Sequence, residues 1–150
     1  MTDREIVGRQ LGRTPRAFRR VAVRCPFGRP AVTEQEPRDE DGHPFPTQFY
    51  VTCTYLVAAI SRLEAAGAVE RWSRAAVDDP DLAASLEAAQ AQQRALRPEI
   101  DAGIGGSTRA GSLKCLHAHA AFALAQPGYE LGNRILAELP ALWPDSCCTE

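Results

Sequence analysis

The spacing of apolar positions changes once along this chain, near residue 54. Residues 2–12 predict a short helix, with Thr2 as cap, Glu5 three residues later and Gly12 as stop. Ala17 to Cys25 alternates through Phe18, Val21 and Val23 and predicts a strand. Pro26-Phe27-Gly28-Arg29-Pro30 predicts a turn, Ala31 to Glu36 a return strand, and Pro37 to Pro46 a polar loop. Thr47 to Cys53 is aromatic and β-branched, which predicts a third strand. Beyond it Leu56, Ile60 and Leu63 recur at four and three, the mark of a helix, and Gly67 ends it. Val69 to Val77 and Leu82 to Leu96 continue as helices, and the glycines between Pro98 and Gly111 predict a flexible loop. Ser112 would cap a helix running through Leu124, and a last helix spans about Glu130 to Leu139. The expected fold is α+β: a small antiparallel sheet of about three strands followed by a helical layer. Residues 1–150 form a single domain in this reading, with 140–150 as a flexible tail.

Length adds that 150 residues can bury a real core. The longest apolar stretches, such as Tyr55 to Ile60, fall far short of the ~20 residues of a membrane span. The charged N-terminus lacks the apolar core of a secretory signal, so a cytoplasmic protein with no membrane partner is expected. In such a compartment five cysteines suggest metal or redox chemistry before disulfides. Charge is unevenly spread. Residues 1–29 carry eight Arg against Asp3 and Glu5, whereas residues 30–101 carry thirteen acids against six Arg. Arg9, Arg13, Arg16, Arg19 and Arg20 suit phosphates or carboxylates, either of a partner or of the acidic middle of the same chain. Pairing within the chain is the better reading. No aromatic interleaving or nucleic-acid motif accompanies these arginines, so a nucleic-acid partner is not expected.

Cysteines sit at the edges of predicted elements. Cys25 ends the first strand, Cys53 ends the third, and Cys115 lies in the first turn of the helix expected from Ser112. A helix N-terminus stabilises a thiolate through its unpaired amides. If both strands end at one sheet edge beneath that helix start, three sulfurs converge, and Cys147 or Cys148 can supply a fourth. Isolated cysteines drawn from different elements suit an iron–sulfur cluster. Zinc is the second choice, because structural zinc sites usually draw close-spaced pairs. The competing reading is that these thiols simply pack as small hydrophobes. Cys115 and His119 are four apart and share a helix face, which suits metal ligation or a thiolate–imidazolium pair. His117 instead joins the stripe of Leu113, Leu116, Ala120 and Leu124, so spacing ranks it below His119. Ahead of them, backbone amides at Gly105 and Gly106, with Lys114 and Arg109, would hold an anion, although an ordinary mobile loop is the slightly better reading. His43-Pro44-Phe45-Pro46-Thr47 is stiff; it would hold His43 or Thr47 at a rim or merely steer the chain into the third strand.

Arg24-Cys25-Pro26, Gly28-Arg29-Pro30, Pro44-Phe45-Pro46-Thr47, Ser61-Arg62-Leu63-Glu64 within Leu56 to Gly67, Gly103 to Gly106, and Lys114-Cys115-Leu116-His117 occur in this order. Together they resemble the bacterial, mainly actinobacterial, domain of unknown function numbered five-hundred-and-one, from about Gln10 to Leu139. The resemblance implies Cys25, Cys115 and His117 as site residues. It also implies a gene neighbourhood with a septum-formation initiator and an exopolyphosphatase. The chain departs from the family pattern at Tyr129-Glu130-Leu131-Gly132, where Asn-Pro before a glycine is usual, and at Cys53, which is followed by Thr54 instead of proline.

The expected function is therefore a metalloprotein holding an iron–sulfur cluster, or zinc, through Cys25, Cys53 and Cys115. Cys147, Cys148, His117 or His119 would complete the site. An open position on the metal would act on a small anionic substrate held by Arg24, Arg29, Gly105, Gly106 and Lys114. Two alternatives stand beside it. One is a non-catalytic Arg-rich accessory protein docking on polyphosphate or a cell-division partner; the other is metal-free thiol chemistry at Cys115 with His119.

Overall fold

Thr2 and Glu5 cap the first helix as expected. In the computed structural model, which describes residues 1–109 and 111–148, the Thr2 side chain accepts from the Glu5 amide and the Glu5 carboxylate accepts from the Thr2 amide. Helix α1 (Asp3–Leu11) ends at Gly12, whose φ of 71° is a left-handed stop that glycine adopts without strain. Three strands follow: β1 (Phe18–Arg24), β2 (Pro30–Gln35) and β3 (Phe49–Val51). They form one antiparallel sheet in the order β1-β2-β3, with Val21 opposite Thr33 and Val32 opposite Val51. Central β2 is buried at every position. Strand β3 is shorter than its aromatic run predicts, although the Gln35 amide still reaches the Gln48 carbonyl at 2.7 Å.

The remainder is helical: α2 (Thr54–Ala65), α3 (Ala68–Asp78), α4 (Pro80–Leu96), α5 (Leu116–Ala125) and α6 (Glu130–Ala137), with a 3-10 turn at Ile104–Gly106. Helix α5 lies at the centre of the domain. Leu116 and every residue from Ala118 to Ala123 are buried, because α5 packs against β3, α2 and α6. A helix that is apolar all round belongs inside, not on a one-sided layer. Its approach to α6 depends on Gly132, where a Cβ would fall 2.6 Å from the Ala123 Cβ and 2.7 Å from the Tyr129 ring. Gly132→Ala should accordingly destabilise the fold by about 1–3 kcal/mol in a urea titration. Unchanged stability would mean that α6 stands off α5.

Chain segments at either end are tied to the body. The acidic stretch of residues 34–41 faces the arginines: Arg4 pairs with Glu40, Arg16 with Asp41, and Arg19 and Arg20 with Glu34 at 3.2 and 2.7 Å. Residues after Pro140, expected as a tail, reach α2. Tyr55 donates to the Ala141 carbonyl at 2.8 Å, and Leu142 and Trp143 pack on the core. Among the described residues no helix is long and apolar enough to cross a membrane.

Candidate functional site

Helix α2 presents Val57, Ser61 and Glu64 at helical spacing of four and three, one face directed at the start of α5. That start comes later than the Ser112 cap predicts. Lys114 adopts a left-handed φ of 63°, uncommon for a residue with a Cβ, and Cys115 follows in extended backbone as the helix cap. The reason lies 52 residues away in sequence: Glu64 Oε2 accepts from the Leu116 amide at 2.8 Å. This carboxylate satisfies one of the unpaired N–H groups of the first turn and offsets the positive end of α5.

The late start corrects the expected pairing of Cys115 with His119. Because Cys115 is extended and not helical, it turns toward His117, and its Sγ lies 3.7 Å from His117 Nδ1. The same Nδ1 stands 3.3 Å from Glu64 Oε1. The other ring nitrogen, Nε2, donates to the Val57 carbonyl at 3.2 Å, with Ser61 Oγ at 3.1 Å. Cys115, His117 and Glu64 are all half-buried. The Cys115 sulfur, followed by the Val57 carbonyl and the Glu64 carboxylate, outweighs burial and raises the His117 pKa to about 9.

His119 is a different kind of histidine. It is wholly buried, donates from Nε2 to the Leu113 carbonyl at 2.9 Å, and accepts at Nδ1 from the Tyr129 hydroxyl at 2.7 Å. Burial lowers its pKa to about 4, so it stays neutral as a satisfied core residue.

The remaining cysteines are distributed away from this group. Cys25 and Cys53 do lie at the same end of the sheet, since β1 and β3 both run antiparallel to β2, but β2 stands between them. Cys53 caps α2, whereas Glu64, beside Cys115, is three turns further along, roughly 16 Å of helix axis. The sulfur nearest Cys53 is that of Cys148, at 3.3 Å, and burial lifts the Cys53 thiol to about 11. Among the described residues, groups of three or more donors within 4.8 Å of one another are Glu64–Cys115–His117 and Asp39–Asp41–His43. The expected convergence of Cys25, Cys53 and Cys115 with Cys147 or Cys148 is neither of these. Asp39–Asp41–His43 is an exposed turn in which the Asp39 carboxylate already accepts the amides of Asp41 and His43.

Of the expected anion contacts, Lys114 does meet the glycine loop: a Cβ on Gly106 would lie 3.8 Å from its Nζ. Gly105 and Gly106 both have positive φ, and a Cβ on Gly105 would fall 2.9 Å from that of Ala118. Arg24 is engaged at the β1–β2 turn, donating to Asp3 at 2.7 Å and to the Gly28 carbonyl at 3.0 Å, while Arg29 is exposed on that turn. Ser61 and Glu64 were not among the expected site residues. Their stretch, Ser61-Arg62-Leu63-Glu64, is among those that resemble the family, but its spacing alone does not mark it as chemistry, because the partners come from α5.

A family model described as a protein of unknown function (DUF501) matches residues 21–102. No curated protein and no solved structure matches the chain. The matched span holds Val57, Ser61 and Glu64, the α2 half of the group, and ends before Cys115 and His117.

Proposed function

The chain belongs to the DUF501 family, and we propose that this member is a metalloprotein holding one zinc-type divalent ion through Cys115 Sγ, His117 Nδ1 and Glu64 Oε1. Donor spacing is the observation that carries this reading. With metal–ligand bonds of about 2.0–2.3 Å, donors around a tetrahedral zinc stand about 3.3 Å (N to O) and about 3.5 Å (N to S) apart. The corresponding separations here are 3.3 and 3.7 Å. The outer contacts support it too. His117 Nε2–H on the Val57 carbonyl is the bond by which metal-ligating histidines are oriented, and it leaves Nδ1 for the ion. Glu64 caps α5 with Oε2, which leaves Oε1. One sulfur in the donor group favours zinc over an iron–sulfur cluster, which takes mostly thiolates.

Three protein donors leave a fourth position for water or substrate, the arrangement of catalytic zinc sites, where a bound water ionises near neutrality. A small anionic substrate would find counter-charge at Lys114 and amides in the Gly105–Gly106 loop. Titrating metal-free protein with Co²⁺ tests the assignment. It should saturate at one ion per chain with a thiolate-to-cobalt absorption band. Cys115→Ser should abolish the band, and His117→Ala, which removes a ligand outright, should weaken binding by more than the roughly 10–100-fold lost with an outer contact. Cys25→Ser and Cys53→Ser should change neither. A band that survives Cys115→Ser, or that tracks Cys25 and Cys53, overturns the reading.

A second reading has its own observation. Cys115 is the largest cause of the raised His117 pKa, the relation found in thiolate–imidazolium nucleophiles. It predicts that, in chelator, iodoacetamide labels Cys115 ahead of the other four cysteines and that His117→Ala removes the preference. The accessory reading, in which arginines bind polyphosphate or a division partner, has less support, because Arg4, Arg16, Arg19 and Arg20 face acids of the same chain.

A further inference from the structure

The C-terminal cysteines lie apart from the proposed metal group and have a different arrangement. Cys148 Sγ stands 3.3 Å from Cys53 Sγ, inside ordinary sulfur–sulfur contact, with no bond between them. Thr54, next to Cys53, donates its hydroxyl to the Cys148 carbonyl at 3.4 Å. Seven residues earlier in the chain, Ala141 accepts from the Tyr55 hydroxyl. Two independent contacts therefore seat residues 141–148 on the first turn of α2, and the thiols of Cys53 and Cys148 meet there. The two sulfurs differ in exposure: Cys53 is buried, whereas Cys148 is half-buried. Cys53 is held between β3 and α2, while Cys148 lies beyond the last helix and packs against the core.

We propose that Cys53 and Cys148 form a reversible disulfide that fastens the C-terminal segment to α2 under peroxide. Cys148, the accessible member, attacks hydrogen peroxide as its thiolate; the O–O bond breaks, hydroxide leaves, and a sulfenic acid forms. The Cys53 sulfur then attacks the Cys148 sulfur, the S–O bond breaks, and the released hydroxide takes up the Cys53 proton. In sum, two thiols and one peroxide give one disulfide and two waters, and the two electrons pass from sulfur to peroxide. A dithiol reductant reverses the step by exchange. This site is separate from the donor group at Cys115, since Cys53 and Glu64 sit at opposite ends of α2.

Treating the full chain with a small excess of hydrogen peroxide, then digesting it without reductant for mass spectrometry, tests the assignment. Two of the five thiols should be lost, in a peptide joining Cys53 to Cys148 that is lighter by two hydrogens and absent after dithiothreitol. Cys148→Ser should prevent the link, and so should Cys53→Ser. Because Cys53 is buried, the Cys148 variant is the decisive one, and Cys147→Ser should leave the link intact. Cross-links that join Cys147 or Cys115 instead, links only between chains, or oxidation of Cys115 with Cys53 and Cys148 still reduced would overturn it. Repeating the treatment with zinc bound separates this outcome from the fate of the metal reading, because the link should form with or without the ion.

Discussion

Phe122→Ala should lower the unfolding free energy by about 4 kcal/mol, the middle of the range for an aromatic removed from a closed core. Phe122 is 1% exposed and sits on α5, the helix enclosed on all sides. Its ring meets Phe49 of β3 edge-on at 6.0 Å and Tyr129, just before α6, edge-on at 5.8 Å. Truncation therefore removes contact to the sheet and to the last helix at once, and a rigid surround collapses little into the space left. In a chain of 150 residues the melting temperature should fall by roughly 8–16 °C. Leu96→Ala, at a position 43% exposed, should stay within about 0.5 kcal/mol. Urea titration of both variants checks the pair. Equal effects would mean that α5 is not the centre of the core.

Stability should also peak near pH 6.5, with two histidines of one helix setting opposite limbs. His119 has its folded pKa lowered by burial to about 4, below the ordinary 6.5. As pH falls below 6.5 the unfolded chain takes up a proton that the folded one refuses, so stability is lost until about pH 4. The loss is on the order of 3 kcal/mol, at 1.36 kcal/mol per unit. His117 has its folded pKa raised to about 9, chiefly by Cys115. Its contribution is full below 6.5 and disappears as pH rises through 9. It is the smaller of the two, since the side chain keeps 23% exposure to screening water. In chelator-treated protein, His119→Gln should flatten the acid limb and His117→Gln the alkaline one. If His119→Gln left the acid limb unchanged, the buried neutral histidine would not be its source.

Local signals in the sequence carried most of the fold. Thr2, Glu5 and Gly12 mark α1, the prolines and Gly28 mark the β1–β2 turn, and Leu56, Ile60 and Leu63 mark α2. Each of these acts within a few residues of itself, which is why it can be read along the chain. The start of α5 is set otherwise. Glu64 supplies its cap from another helix, and Lys114 takes a backbone that the residue type disfavours. Extending the helix back to Ser112 puts Cys115 over His119; the actual start puts it beside His117. A slip of three residues in the helix cap, from Ser112 to Cys115, thus exchanges a neutral core histidine for one that meets a thiol and a carboxylate. The sulfurs of Cys25 and Cys53 reach the same end of the sheet as the strand pattern implies, but strand order, which no periodicity reveals, sets β2 between them.

The enclosure of α5 has a consequence for where this chain can be cut. Everything matched by the family model ends at residue 102, yet the surfaces of β3 and α2 in that span are covered by a helix that begins at Leu116. A fragment stopping at residue 102 would present Phe49, which packs on Phe122, and the α5-facing side of α2 to water and should clump instead of folding. The recognisable segment is therefore not an autonomous folding unit. Expression trials, fusions and split-protein designs need α5 and α6 to travel with it.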